Sequence, residues 1–318
     1  MAESKTKMPA VKTPTRFSIV IPTYNSAATV QRTLESIAMQ QWPSVEVVIV
    51  DGVSTDDTLA VIKRNAAADC VVISEPDKGI YDAINKGVAR ATGQLICVIG
   101  SDDQFAAGAF QAVSDAWQAE QADIVAGPAL LVALDGQGEL RKDERFGPGA
   151  LLSGIPFCHN AMFVTPAAYA SVGPYNVNYR ICADAEWVHR SIRLGCSCLY
   201  VDKVIVHFSL SGTSSTNDEL IMKETYAVIV GNFPGLSAED AEILFRAVRG
   251  WSDGSQVASV LSRYSSNKQL MIAANDALPL HLQRGAVLVE PTMKRKIKLL
   301  PGVGRVAQVV RRIVALFS

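Results

Sequence analysis

No window of the 318 residues holds 18 uninterrupted apolar residues, so no membrane-spanning helix is expected. Residues 1–16 are polar with scattered lysines and lack the apolar centre of a secretory signal. They read as a loose leader. No C-x-x-C pair accompanies the six cysteines, which argues against Cys158-His159 or Cys196-Ser197-Cys198 as a zinc site. Cys70, Cys97, Cys196 and Cys198 sit inside apolar runs, the pattern of reduced, buried thiols in a cytosolic protein. Net charge is -1, so no overall field favours nucleic acid as a partner. Internal repeats and low-complexity tracts are also missing. What remains is a globular composition, 49% apolar and 19% charged, in a chain long enough for a large core.

The first half alternates two kinds of segment. "FSIVIP" (17–22), "VEVVIV" (45–50), "CVVIS" (70–74) and "QLICVIG" (94–100) are short and rich in Val and Ile, as suits strands buried on both faces of a parallel sheet. Between them lie helical stretches. In the first, Val30, Leu34, Ile37 and Ala38 share a face. The second follows Ser54 and Asp57, spaced like a capping box with Asp in the Glu/Gln place. Further helices are expected near 80–91 and 105–119. Strand and helix alternating at this spacing predict an α/β fold with a mostly parallel, Rossmann-like sheet flanked by helices. Residues 135–156 carry turn chemistry and read as a loop-rich, partly antiparallel section. "AMFVTP" is another strand, "DAEWVHRSIRLG" a helix closed by Gly195, and "CLYVDKVIVHFSL" a strand or bent strand pair. From about Asp218 the chain looks helical.

Ligands gather at the carboxyl ends of strands in open α/β sheets. Those ends read Thr23-Tyr24-Asn25, Asp51-Gly52, Glu75-Pro76-Asp77 and Asp102-Asp103. Such a rim is a poor phosphate cradle but a good seat for a hard divalent cation that brings phosphates with it. A nucleoside diphosphate held through Mg2+ or Mn2+ would explain why an apolar strand runs into two adjacent carboxylates. Spacing alone leaves a second reading open, in which Asp102-Asp103 starts a helix at Phe105 as an N-cap.

"IVIPTYNSAATVQRTLESIAMQQWPSVEVVIVDGVSTDDT" resembles the opening of the inverting glycosyltransferase family 2, with its GT-A fold. "EPDKGIYDAINKGVARATGQLICVIGSDD" is similar to a bacterial branch that builds capsule, exopolysaccharide or O-antigen. "FCHNAMFV" and "CADAEWVHRSIRLG" continue the likeness in order, so it covers residues 17–215. The resemblance implies transfer of a sugar from a nucleotide-sugar, UDP-linked, to a glycan or lipid-linked acceptor. It implies that Asp103 is a metal ligand and Asp102 a neighbour of the ribose or diphosphate. Pro22, Thr23, Tyr24, Asn25 and Asp82 would lie near the nucleotide, and Asp51 near its base. Where many members carry Asp-Asp after the second strand this chain has Asp51-Gly52, which leaves the base being read in doubt.

Inversion needs a base to take the acceptor hydroxyl's proton. The likeness puts it in Asp184-Ala185-Glu186, with Asp184 as the base; a helix start favours an ionised carboxylate. By themselves the same residues read as an N-cap followed by a first-turn Glu186. His159, Asn160, Glu186 and Trp187 would face donor sugar and acceptor, and His207 would be a third metal ligand, as in some GT-A enzymes. At helical spacing Trp187 and Trp251 also suit a core. "GVGRVA" (302–307) lacks a preceding strand and is no dinucleotide site.

The resulting division is a leader (1–16), a GT-A catalytic domain (17–215), a helical extension (216–290) and a basic amphipathic tail (291–318). The tail has seven basic residues and no acidic one. Near an anionic membrane each is worth about 1 kcal/mol, so peripheral binding to the inner face of the plasma membrane is one reading; a solvated basic face packed on the enzyme or a partner is the other. Two other functions fit an α/β core. A nucleotidyltransferase would open with a Gly-rich basic loop after the first strand, which "IPTYNSAATV" lacks. A non-catalytic nucleotide-sugar-binding scaffold would keep the acidic set without turnover.

Overall fold

A computed structural model describes residues 13–67, 70–133, 135–142, 145–210, 217–252, 254–279 and 282. The leader's first twelve residues and the basic tail, with its membrane contact, lie outside them. Residues 13–16, counted with the leader, are held by the core: Thr15 is buried, its hydroxyl 2.7 Å from that of Ser114, and its carbonyl accepts from Trp42 Nε1.

Strands β1 (Phe17–Thr23), β2 (Val45–Asp51), β3 (Val71–Ser74) and β4 (Leu95–Val98) pair in parallel in the order β4-β1-β2-β3. Every residue of β1 and β4 is buried, because helices cover both faces of the sheet. Helix α1 (Val30–Ala38) turns Val30, Leu34 and Ile37 inward as expected, with Thr33 and Ser36; Ala38 is exposed instead. Helix α2 (Thr58–Asn65) is not entered through a Ser54–Asp57 box. Asp56 accepts from the Thr58 amide at 3.0 Å, and Ser54 is turned toward Asp51. Helix α3 (Ile80–Arg90) crosses β1 at Gly87, where any Cβ would come within 2.3 Å of Val20. Glycine there allows the close helix–sheet approach.

The helix expected at Phe105 begins later. Gln104–Phe105 form a short strand, β5, and α4 spans Ala109–Glu120 behind Gly108. Asp102 and Asp103 are therefore not its cap. Instead the segment is tied to α1, with Thr33 Oγ1 donating to the Asp103 carbonyl at 2.7 Å and the Phe105 amide to Ser36 Oγ at 3.0 Å.

Strands β6 (Ile124–Ala126), β9 (Met162–Val164) and β10 (Cys198–Tyr200) complete a seven-stranded sheet in the order β10-β6-β9-β4-β1-β2-β3, and β9 runs antiparallel to both neighbours. A second sheet, β5-β11-β7-β8, adds β7 (Ala129–Val132), β8 (Gly138–Arg141) and β11 (Val206–Ser209). The bent pair read from "CLYVDKVIVHFSL" is thus two strands in two sheets. Helices α5 (Pro166–Val172) and α6 (Ala183–Leu194) flank β9 and β10.

Helices α7 (Asp218–Asn232), α8 (Ala238–Val248), α9 (Val257–Arg263) and α10 (Lys268–Ala277) form the expected extension. It is no free appendage. Leu151 and Leu152 of the catalytic region lie in the same apolar cluster as Leu244, Val260 and Leu270. Asn232 Nδ2 donates to Leu151 O at 3.1 Å and lies 2.9 Å from His189 Nδ1. No helix among the described residues is long and apolar enough to cross a membrane.

Candidate active site

Strands β2 and β3 continue the sheet to one side of β1, β4 to the other, so a crevice opens at their carboxyl ends. A cavity of about 1260 Å³ fills it. Its lining takes Pro22, Thr23, Tyr24 and Asn25 from the end of β1, Gly100 to Asp103 from beyond β4, and Cys158, His159, Asn160 and Asp184 from later in the chain. Its size suits two substrates side by side.

Asp103 is 1% exposed yet reaches the cavity lining. Its Oδ1 accepts from the Ser209 amide at 2.7 Å and its Oδ2 from Asn160 Nδ2. Burial, reinforced by the charge of Asp102, pushes its carboxyl up to about 7 despite those bonds. Burial also raises Asp102. Two carboxyls that resist being charged together suit an oxygen-seeking divalent cation: two protein carboxylates, with the other positions left to phosphates and water, match how Mg2+ is held. Among the described residues no group of three His, Cys, Asp or Glu gathers around one point. His207 lies on β11, half-buried, opposite Gln104 and Leu130, while its neighbours Phe208 and Ser209 line the cavity and it does not.

Asp51 departs from expectation. It is fully buried and does not line the cavity. Its carboxylate is instead the hub of three strand ends. It accepts from Thr23 Oγ1 at 3.3 Å, the Ser54 amide at 3.0 Å, the Ser54 hydroxyl, and Ser74 Oγ at 2.8 Å. Burial alone would push its carboxyl up, but these hydrogen bonds together hold it below the usual range. They also pin Val53, a β-branched residue at φ 62°. Asn25, at φ 50°, is held by its amide to Ser54 Oγ and by the Thr55 amide to its side chain, both at 2.9 Å. Gly52 has a local reason: a Cβ there would stand 2.5 Å from Asp77 Oδ2 and 3.6 Å from the Tyr24 ring. Asp77 thus lies against the backbone beside an exposed tyrosine, and both line the cavity.

Asp184 sits in the first turn of α6, whose N-cap is Cys182 and carries no side-chain cap bond. Its Oδ1 accepts from the Ala185 amide at 2.7 Å and from Tyr81 hydroxyl at 3.3 Å. The hydroxyl's single proton is shared with Ile181 O, the nearer acceptor, in a three-centre bond. Burial, with the nearby Asp184 charge, pushes the Tyr81 phenol far up, so it stays a donor. Behind Asp184, His159 Nε2 lies 2.8 Å from Tyr175 hydroxyl, and burial pushes the His159 imidazole down toward its neutral form.

Two more expectations need correcting. Trp187 is fully buried, stacked against Tyr175 at 5.6 Å and donating to Gly173 O at 2.8 Å; it is a core residue. Glu186 points along the helix to Arg190, 2.9 Å away, and does not line the cavity. Asp82 does line it, accepts from the Lys78 amide at 3.1 Å and lies 3.6 Å from Lys86. Sequence reasoning missed the cationic lining: Lys78, Arg141, Arg180 and Arg249 come from four separate segments and no spacing announces them. Asp77 and Gly52, by contrast, were visible at strand ends.

Residues 18–169 match the sequence model of glycosyl transferase family 2. A PGL/p-HBAD biosynthesis glycosyltransferase of Mycobacterium bovis is 35% identical over 176 residues, covering 54% of this chain and 67% of that protein. A glycosyltransferase of Mycobacterium tuberculosis is 28% identical over 217 residues, covering 62% and 76%. The crystal structure of S. aureus TarS 1-349 superposes with a TM-score of 0.55 at 18% identity, covering 85% of this chain and 83% of that one. Its complex with UDP-GlcNAc gives 0.53 at 17%, covering 85% and 84%. The structural likeness establishes the GT-A fold.

Proposed function

The chain belongs to glycosyl transferase family 2 and is a glycosyltransferase, and on that premise we propose that it moves a sugar, with inversion, from a UDP-linked donor to a glycan or lipid-linked acceptor in surface-polysaccharide assembly. The nucleotidyltransferase and scaffold readings give way to the family. One observation carries the proposal: the paired carboxylates Asp102 and Asp103 and the single carboxylate Asp184 line one cavity. The donor takes the side of Tyr24, Asn25, Asp77 and Asp82, and the acceptor takes the side of α6 and α7. Solved complexes of TarS with UDP and UDP-GlcNAc support the nucleotide. The mycobacterial relative's place in PGL/p-HBAD biosynthesis supports a lipid-linked or aryl-linked acceptor. So do exposed Val177, Leu210 and Trp251 on the cavity lining.

The reaction forms a bond between the acceptor oxygen and the anomeric carbon and breaks the bond from that carbon to the diphosphate. Asp184 accepts the acceptor's hydroxyl proton as the oxygen attacks, with the Tyr81 hydroxyl orienting its Oδ1. Asp102 and Asp103 would hold Mg2+ or Mn2+, which when bound offsets the negative charge gathering on the departing diphosphate. Lys78 and the arginines of the lining supply further positive charge from the chain itself. The basic tail, with seven cationic residues and no acid, supports peripheral attachment at the cytoplasmic face of the membrane.

The test is calorimetric titration of UDP, GDP and their sugars with Mn2+ and then with EDTA, on wild type and Asp103→Ala. Metal-dependent UDP binding that vanishes in Asp103→Ala is the expected result. Equal binding in EDTA, or in the variant, removes the carboxylate pair from nucleotide binding.

A further inference from the structure

Glu224 stands on α7, in the extension, 8% exposed and with no place in the reaction as described. Its carboxylate accepts three successive backbone amides of the segment that leads into α6. Oε1 takes Arg180 N at 2.8 Å, and Oε2 takes Ile181 N and Cys182 N, both at 2.9 Å. Three convergent amides around one carboxylate make a nest, with the anion here supplied by the protein itself. The neighbouring Thr225 hydroxyl adds a contact to Cys182 Sγ at 3.7 Å.

The α6 N-cap is a cysteine without a side-chain cap bond, so the turn ahead of Asp184 is not fixed by the usual capping side chain. Tyr81 grips the segment's carbonyl side at Ile181 O, and Glu224 grips its amide side. Held between the two, Asp184 is aimed into the cavity. Glu224 itself does not line the cavity, so it has no direct access to substrate.

We infer that Glu224 is a positioning residue: from the helical extension it sets the turn that aims Asp184, which makes the extension part of the catalytic apparatus. This rests on Asp184 being the base. A carboxylate displaced by about 1 Å loses roughly 10²-fold in rate, so the defect belongs in kcat and not in donor binding.

The experiment is a double-mutant cycle with Glu224→Gln and Asp184→Asn, read by transfer kinetics and UDP titration. Glutamine keeps the shape but turns an N–H₂ toward amides that need an acceptor. Expected are a loss of about 100-fold in kcat for Glu224→Gln, donor binding within about twofold of wild type, and no further loss when it is added to Asp184→Asn. An additive loss, or wild-type kcat in Glu224→Gln beside a dead Asp184→Asn, overturns the inference. An active Asp184→Asn instead overturns the assignment of the base. Hydrogen exchange on the wild-type protein gives a measurement that needs no folded variant. The amides of Arg180, Ile181 and Cys182 are expected to be protected well beyond that of exposed Val177. Unprotected amides there overturn the inference.

Discussion

The hydroxyl of Tyr81, on α3, donates to Oδ1 of Asp184, on α6, at 3.3 Å and across 103 residues of sequence. It joins the helix that follows β3 to the helix that carries the proposed base. For Asp184→Asn the expected outcome is a loss of about 10² to 10⁴ in transfer rate with UDP affinity kept. Tyr81→Phe should lose about tenfold, since the base remains but one orienting bond is gone. Initial rates and calorimetry decide both; full turnover in Asp184→Asn leaves Asp184 without a catalytic role.

Gly52 leaves no room for one added carbon beside the cavity residues Asp77 and Tyr24. Gly52→Ala puts a Cβ 2.5 Å from Asp77 Oδ2, and that carboxylate must swing away. Since the obstacle is the end of a side chain, stability should fall by under about 1 kcal/mol. UDP-sugar affinity is expected to weaken about tenfold. Unchanged affinity would mean that Asp77 has no part in donor binding.

Val53 holds φ 62° beside that glycine, a conformation costing a β-branched residue on the order of 1–2 kcal/mol. Its side chain is about half exposed, so little packing is lost on replacement. Val53→Asn is expected to raise stability by about 1 kcal/mol by chemical denaturation. A destabilised variant would show the backbone relaxed there in solution.

His189 gives the acid sensitivity of the contact between catalytic core and extension. It donates from Nε2 to Gly154 O at 3.1 Å and accepts at Nδ1 from Asn232 Nδ2 at 2.9 Å. Burial pushes its pKa down to about 4 from 6.5. Above pH 6.5 both folded and unfolded chains hold it neutral, and its contribution is complete. Between 6.5 and 4 only the unfolded chain takes the proton, so stability falls with pH, by about 2 kcal/mol at pH 5. Wild type and His189→Asn should therefore differ most at pH 7 and converge toward pH 5 in denaturant midpoints. A difference that stays constant with pH would mean that the imidazole titrates alike in the folded and unfolded chains.

The strands and the acidic rim were legible because both are local properties. Buried parallel strands are continuous apolar runs, as in β1, β2 and β4, and the polar residue ending each run is where a ligand can be met. The cavity accordingly gathers Thr23, Asn25, Asp82, Asp102, Asp103, His159, Asn160 and Asp184, all named from sequence. The helix expected at Phe105 was misplaced because Asp102-Asp103 looks like a cap. In the fold those residues bond sideways to α1 and Ser209, and such partners are invisible in a short window.

By itself, the sequence determined the alternating α/β order, the acidic strand ends and the family. Tertiary structure alone decided which acids reach the cavity. Asp51 and Asp103 end adjacent-looking strands in the same way, yet one is enclosed by Ser54, Ser74 and Thr23 while the other faces the cavity. Trp187 and Glu186, beside the proposed base, turn to the core and to Arg190, since the rotation of α6 is set by what packs on it. Glu224 is the extreme case. Its three amide donors lie 42 to 44 residues away, and a carboxylate on a helix acquires that role only once the extension has folded against the turn.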